Sequence, residues 1–113
     1  VTQGFIDTHR AFLDGIIQAH LATPTPWETF GRQFVAVQSF DTYDRLPQVQ
    51  APALIIHGDQ DILIPVENAD ILHERIPGSQ VRIIPGVGHC FFWEKPGESA
   101  GAIIEFLKSA VPA

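Results

Sequence analysis

The sequence has a single cysteine, Cys90, and no methionine. One thiol excludes an internal disulfide and fits a reducing compartment, so a cytoplasmic location is expected. No apolar run approaches the roughly 20 residues that a spanning helix needs, and no membrane segment is expected. Basic residues are scarce: seven Lys and Arg against 13 Asp and Glu give a net charge of −6. Without a basic stripe nothing displaces counterions from a phosphate backbone, which argues against nucleic acid as a partner. Val1 is followed by no basic leader and no apolar h-region, so a secretory signal is not expected. The missing initiator Met points to a chain cut from something longer. Repeats and low-complexity segments are absent too. What remains is 45% hydrophobic and 18% charged over 113 residues, the composition of one small packed domain.

The first half has helical periodicity. Phe5, Phe12, Ile16 and the pair Leu13 and Ile17 predict a helix over about residues 3–21. Thr23-Pro24-Thr25-Pro26 ends it. Thr25 and Glu28 have capping-box spacing, with Pro26 at the first helical position, and Trp27, Phe30, Phe34 and Val37 mark one face of a second helix ending near Phe40. Asp44 to Pro52 reads as a connector. The second half changes period. Ala53–His57 is a short apolar run that ends at Gly58, as a buried parallel strand does. Val66–Ile76 is predicted helical, with Ala69, Leu72 and Ile76 facing the core, and Pro77-Gly78 stops it. Val81–Ile84 is a second strand. A last helix places Ala100, Ile103, Ile104 and Leu107 on one face. Strand, helix and strand in this order predict a right-handed crossover with a parallel pair.

The loops at the carboxyl ends of the two strands carry the chemistry, as in open α/β sheets generally. One runs from His57 to Pro65, the other from Pro85 to Pro96. On neighbouring parallel strands they lie side by side, so a carboxylate in one can orient an imidazole in the other. Asp59 and Asp61 both compete for that role. His57, Asp59 and Asp61 alternate as metal ligands can, but no second cluster accompanies them, and no metal or organic cofactor is expected. Gly86-x-Gly88 is too short for a dinucleotide-binding loop.

The stretch PALIIHGDQDILIPVENADILHERIPGSQVRIIPGVGHCFFWEKP resembles the end of an α/β-hydrolase. Strand, Gly-x-x-Asp, two aliphatics and Pro, then helix, strand and Gly-x-Gly-His are similar to that family's last two catalytic loops. The resemblance covers residues 46–109. It implies that Asp61 is the triad acid and His89 the triad histidine. Residues 1–45 resemble, less closely, the helical cap inserted before the second-last strand. The division that follows is a cap-like segment over 1–45 and a C-terminal α/β portion over 46–113. The family order is nucleophile, acid, histidine, so the nucleophile elbow is expected before residue 1. The implied activity of the intact parent is acyl transfer on an ester, lactone or related carbonyl. Relatives with an Asp nucleophile, which cleave carbon–halogen bonds or epoxides, share this histidine. A non-catalytic, self-associating module is the reading from a different class.

Gly97-Glu98-Ser99-Ala100-Gly101 spells the elbow pattern Gly-x-Ser-x-Gly. It opens a helix without a strand before it and follows His89, so a helix N-terminus is the expected role. Cys90 is expected to be a small buried residue, His57 a strand-end residue bonded to backbone, and His73 to lie on a solvated face. Ile62, Leu63, Phe91 and Phe92 are the candidate walls of an apolar substrate pocket for a small molecule. The run Phe91 to Trp93, like Trp27, Phe30 and Phe34, equally suits core packing. A two-stranded sheet leaves the edge of Ala53–His57 open, from which a homo-oligomer is expected.

Overall fold

The computed structural model describes residues 1–110. Three helices come first: α1 (Gln3–Thr8), α2 (Arg10–Ala22) and α3 (Trp27–Ser39), followed by a 3-10 turn over Tyr43–Gln48. Strand β1 (Leu54–Gly58), helix α4 (Glu67–Arg75) and strand β2 (Gln80–Ile84) form the crossover. A short helix α5 (Phe91–Glu94) and a long one, α6 (Pro96–Ala110), complete the order. The strands pair in parallel, with Leu54 opposite Gln80 and Gly58 opposite Ile84. This register brings the two strand ends level, and with them the two loops.

The core is small and lies around this unit. Ile55, Ala69, Ile84, Val87 and Ala102 are its buried apolar residues. Arg75 ties the 3-10 turn to α4, its guanidinium 4.1 Å over the Tyr43 ring and donating to the Tyr43 carbonyl at 3.3 Å. Helix α3 buries none of its residues. Trp27, Phe30 and Phe34 stack in sequence along it, with ring centroids 5.4 and 6.2 Å apart, and Trp27 is 83% exposed. The Cα radius of gyration is 16.9 Å, against about 13 Å for a compact domain of this length. The excess fits N-terminal helices that stand away from the sheet.

Four local expectations need correction. The predicted helix over 3–21 is two helices, because His9 leaves helical geometry (φ −123°, ψ 30°) while stacking on Phe5 at 4.1 Å. The capping box at Thr25 does not form. Pro26 takes the cap position with no side-chain bond, and Glu28 pairs with Arg32 one turn on. In α4, Ala69 is buried, but Leu72 borders on exposed. In α6 the buried face carries Ser99 and Ala102, with Phe106 half-buried, while Ile103, Ile104 and Leu107 are exposed. The apolar stripe is wider than the face a two-stranded sheet can cover, so packing uses only its near side.

Candidate active site

Asp61 follows β1 and His89 follows β2. Several backbone contacts hold their loops together. The Gln60 N–H donates to the Val87 carbonyl at 2.9 Å, and the Gly86 N–H donates to Asp59 Oδ1 at 2.6 Å. Gly86 takes φ +72°, the left-handed region in which glycine is least strained. Asp59 therefore staples the histidine loop from across the sheet and is not the carboxylate that meets the imidazole.

That carboxylate belongs to Asp61. Its Oδ2 lies 2.8 Å from His89 Nδ1, and its Oδ1 accepts the N–H groups of Leu63 at 2.8 Å and Ile64 at 3.0 Å. The Asp61 side chain is 3% exposed. Burial pushes its pKa up, but the bonds from Ile64, His89 and Leu63 and the His89 charge outweigh burial and bring it down to about 2 from an ordinary 3.8. An ionised carboxylate can only accept, so the proton sits on His89 Nδ1 and the lone pair on Nε2. The side chain remains 44% exposed.

The lowered value makes a stability statement. A group depressed in the folded state stabilises fully above its unfolded value and loses that contribution as pH falls toward its folded value. The urea midpoint is expected to drop between about pH 5 and pH 2 as Asp61 takes up its proton and its contribution is lost. Asp61→Asn should flatten that part of the profile. Superimposable profiles for the two proteins would refute the bonding described.

A cleft of about 250 Å³ lies beside the pair, lined by Ile56, His57, Gly58, Asp61, Ile64, Asn68, Leu72, His89 and Phe91. Of the four residues expected as pocket walls, Phe91 lines it. Ile62 is 99% exposed, Leu63 is exposed, and Phe92 is half-exposed against Phe91 and Trp93. For the acid loop the bonds from Leu63 and Ile64 to Asp61 explain this, because they fold the chain back, turning Ile64 toward the cleft, still 42% exposed, and leaving Ile62 out. Ile56, Ile64 and Leu72 are the apolar walls that sequence patterning did not single out.

Of the remaining candidates, His57 stays beside the pair without bonding it, and the others make bonds elsewhere. His57 Nδ1 donates to the Gly58 carbonyl at 2.9 Å, and its Nε2 is 3.7 Å from Asp61, beyond hydrogen-bond reach. Cys90 is half-buried and caps α5. His73 is exposed and bonds the Ser79 hydroxyl at 2.9 Å. Ser99 is 3% exposed, and its hydroxyl donates to the Lys95 carbonyl at 2.8 Å, inside the first turn of α6. Among the described residues no helix is long and apolar enough to cross a membrane.

Comparison with known proteins identifies the family. The sequence profile of the alpha/beta hydrolase fold matches residues 10–96. A monoacylglycerol lipase of Mus musculus is 34% identical over 101 residues, covering 88% of this chain and 30% of the lipase. The structure of an esterase from Exiguobacterium antarcticum superposes with a TM-score of 0.62 at 30% identity, over 66% of this chain and 28% of the esterase. An α/β hydrolase from a Medee basin deep-sea metagenome library aligns with 99% of this chain and 42% of its own, with a TM-score of 0.78 at 20% identity, a likeness of fold. Esterases, lipases and peroxidases are thus the homologues, and the chain spans less than a third of the lipase and the esterase. With a profile match over most of its length, the chain belongs to the α/β-hydrolase fold family.

Proposed function

We propose that this chain supplies the acid and the histidine of a serine-type hydrolytic triad acting on an ester, lactone or related carbonyl. The nucleophile and the oxyanion donors come from sequence before residue 1. The observation that carries the reading is the Asp61–His89 bond, made by a carboxylate whose other oxygen already accepts two backbone N–H groups. In the reaction His89 Nε2 takes the proton of the serine hydroxyl as its oxygen attacks the carbonyl carbon. The imidazolium returns that proton to the leaving oxygen as the bond to it breaks. Water then repeats the sequence on the acyl group, releasing the acid and restoring the serine. Asp61 keeps its charge throughout and stabilises the imidazolium. Ile56, Ile64, Leu72 and Phe91 offer an apolar wall to the substrate. The lipase and esterase among the relatives support an ester over other carbonyls.

A fluorophosphonate probe tests the reading. The 113-residue chain alone should remain unlabelled, Ser99 included, because its hydroxyl is buried and committed to Lys95. A chain extended upstream through the family's elbow should label at one serine there, and His89→Ala should abolish that labelling. Stoichiometric modification of Ser99 would overturn the assignment.

The isolated chain carries a second proposal, self-association as a two-fold dimer. Among the described residues the two-stranded sheet leaves one side of β1 unpaired, and the stacked face of α3 is exposed. Light scattering across a dilution series should return at least twice the 12.5 kDa of one chain. A monomer at every concentration would count against it.

A further inference from the structure

Glu94 closes α5, and its two carboxylate oxygens serve different parts of the chain. Oε1 accepts the Gly88 N–H at 2.8 Å, one residue before His89. Oε2 accepts the Thr2 N–H at 3.0 Å and also the Thr2 hydroxyl. The slot around Gly88 is tight: a Cβ there would lie 3.2 Å from the Val1 carbonyl carbon and 3.4 Å from Glu94 Oε1. The histidine loop is thus held from two directions. Asp59 and Gln60 hold Gly86 and Val87 from the acid loop, and Glu94 holds Gly88 from the far side of His89. Burial opposes the Glu94 charge, but bonds from the Thr2 hydroxyl, the Gly88 N–H and the Thr2 N–H outweigh it and keep the carboxyl below its usual range.

We propose that Glu94 is a positioning residue for His89: by gripping the Gly88 N–H while braced on Thr2, it fixes the loop so that the imidazole presents Nδ1 to Asp61. The proposal rests on the reading of Asp61 and His89 as acid and base. Glu94 lies six positions after Gly88, and His89 lies within the ring their bond closes. Without that bond Gly88 can pivot and carry the imidazole off the carboxylate. A backbone N–H in a part-buried slot would also be left without an acceptor, which favours the loop moving toward one.

The test is the tautomer of His89, read by long-range proton–nitrogen correlation on the 113-residue chain at about pH 8, above the ordinary imidazole range. The unaltered chain should show a single Nδ1–H tautomer. Glu94→Ala should lose it, with Nε2–H dominant, while the amide shifts of β1 and β2 hold. Glu94→Gln, which keeps an oxygen for the Gly88 N–H, should restore Nδ1–H. An undisturbed Nδ1–H tautomer in a folded Glu94→Ala chain would overturn the proposal. Where Glu94→Ala loses the β1 and β2 amide dispersion, Thr2→Val decides, since it removes the hydroxyl brace together with the long α1 cap bond from the Phe5 N–H at 3.4 Å and leaves the Thr2 N–H in place. A partial shift toward Nε2–H then supports the proposal and no shift overturns it. Failure of the underlying reading looks different: the unaltered chain would lack the Nδ1–H tautomer, or Asp61→Asn would leave it unchanged.

Discussion

If the proposed triad operates in the intact parent, Asp61→Asn is expected to lower its kcat by about 10⁴-fold, with the fold intact. The size follows from which atoms are already engaged. Oδ1 accepts the Leu63 and Ile64 N–H groups, so the amide oxygen of Asn must stay there. The amide nitrogen then faces His89 Nδ1, and it can only donate. The imidazole must present a lone pair at Nδ1 and carry its proton on Nε2, where the serine proton has to go. The base is lost while the Asx turn survives. Steady-state kinetics on an ester, with the His89 tautomer read alongside, check this. A kcat within tenfold of the unaltered enzyme would show that Asp61 does not orient the base.

The second large effect concerns Gly58. A Cβ at this position would stand 2.5 Å from the Gly88 carbonyl oxygen and closer still to that of Val87. Both obstacles are backbone, so no rotamer change relieves them. Gly58→Ala must force the end of β1 away from the histidine loop, straining the Gln60–Val87 and Asp59–Gly86 bonds that keep the loops together. A loss of about 3 kcal/mol is expected, the upper part of the range for overpacking. Urea denaturation measures it. Gly97→Ala serves as the control, because a Cβ there meets nothing within 4 Å. An unchanged midpoint for Gly58→Ala would contradict the close approach.

How much of this could be read from sequence depended on range. The two strands, the crossover helix and the side-by-side loops were legible because each is a short apolar run with a Gly or Pro stop. Placing Asp61 rather than Asp59 beside His89 came from position in the family pattern. The bond to His89 agrees with it, and Asp59 bonds Gly86 instead. Glu94 was not legible, because a carboxylate that bonds a backbone N–H six residues earlier leaves no periodic trace. Neither was the inward turn of Ile64, which depends on Asp61 capping two N–H groups. In α6 the stripe was visible, but its buried side was not. Which side is covered depends on what packs there, and only the near side meets β1 and β2.

The two tryptophans give the molecule a pair of independent optical probes. Trp27 sits at the solvent-facing start of α3, stacked on Phe30. Trp93 is half-buried beside Glu94, edge-on to Phe12 at 5.7 Å and to Phe92 at 5.6 Å. Emission from an indole in water lies to the red of one among apolar rings, so the two contributions separate. Covering α3 with any protein surface should move the red component to the blue. Loosening the segment behind His89 should move the other component toward the red. Trp27→Phe and Trp93→Phe would assign the two bands, and one fluorescence titration could then follow assembly and the state of the histidine loop together.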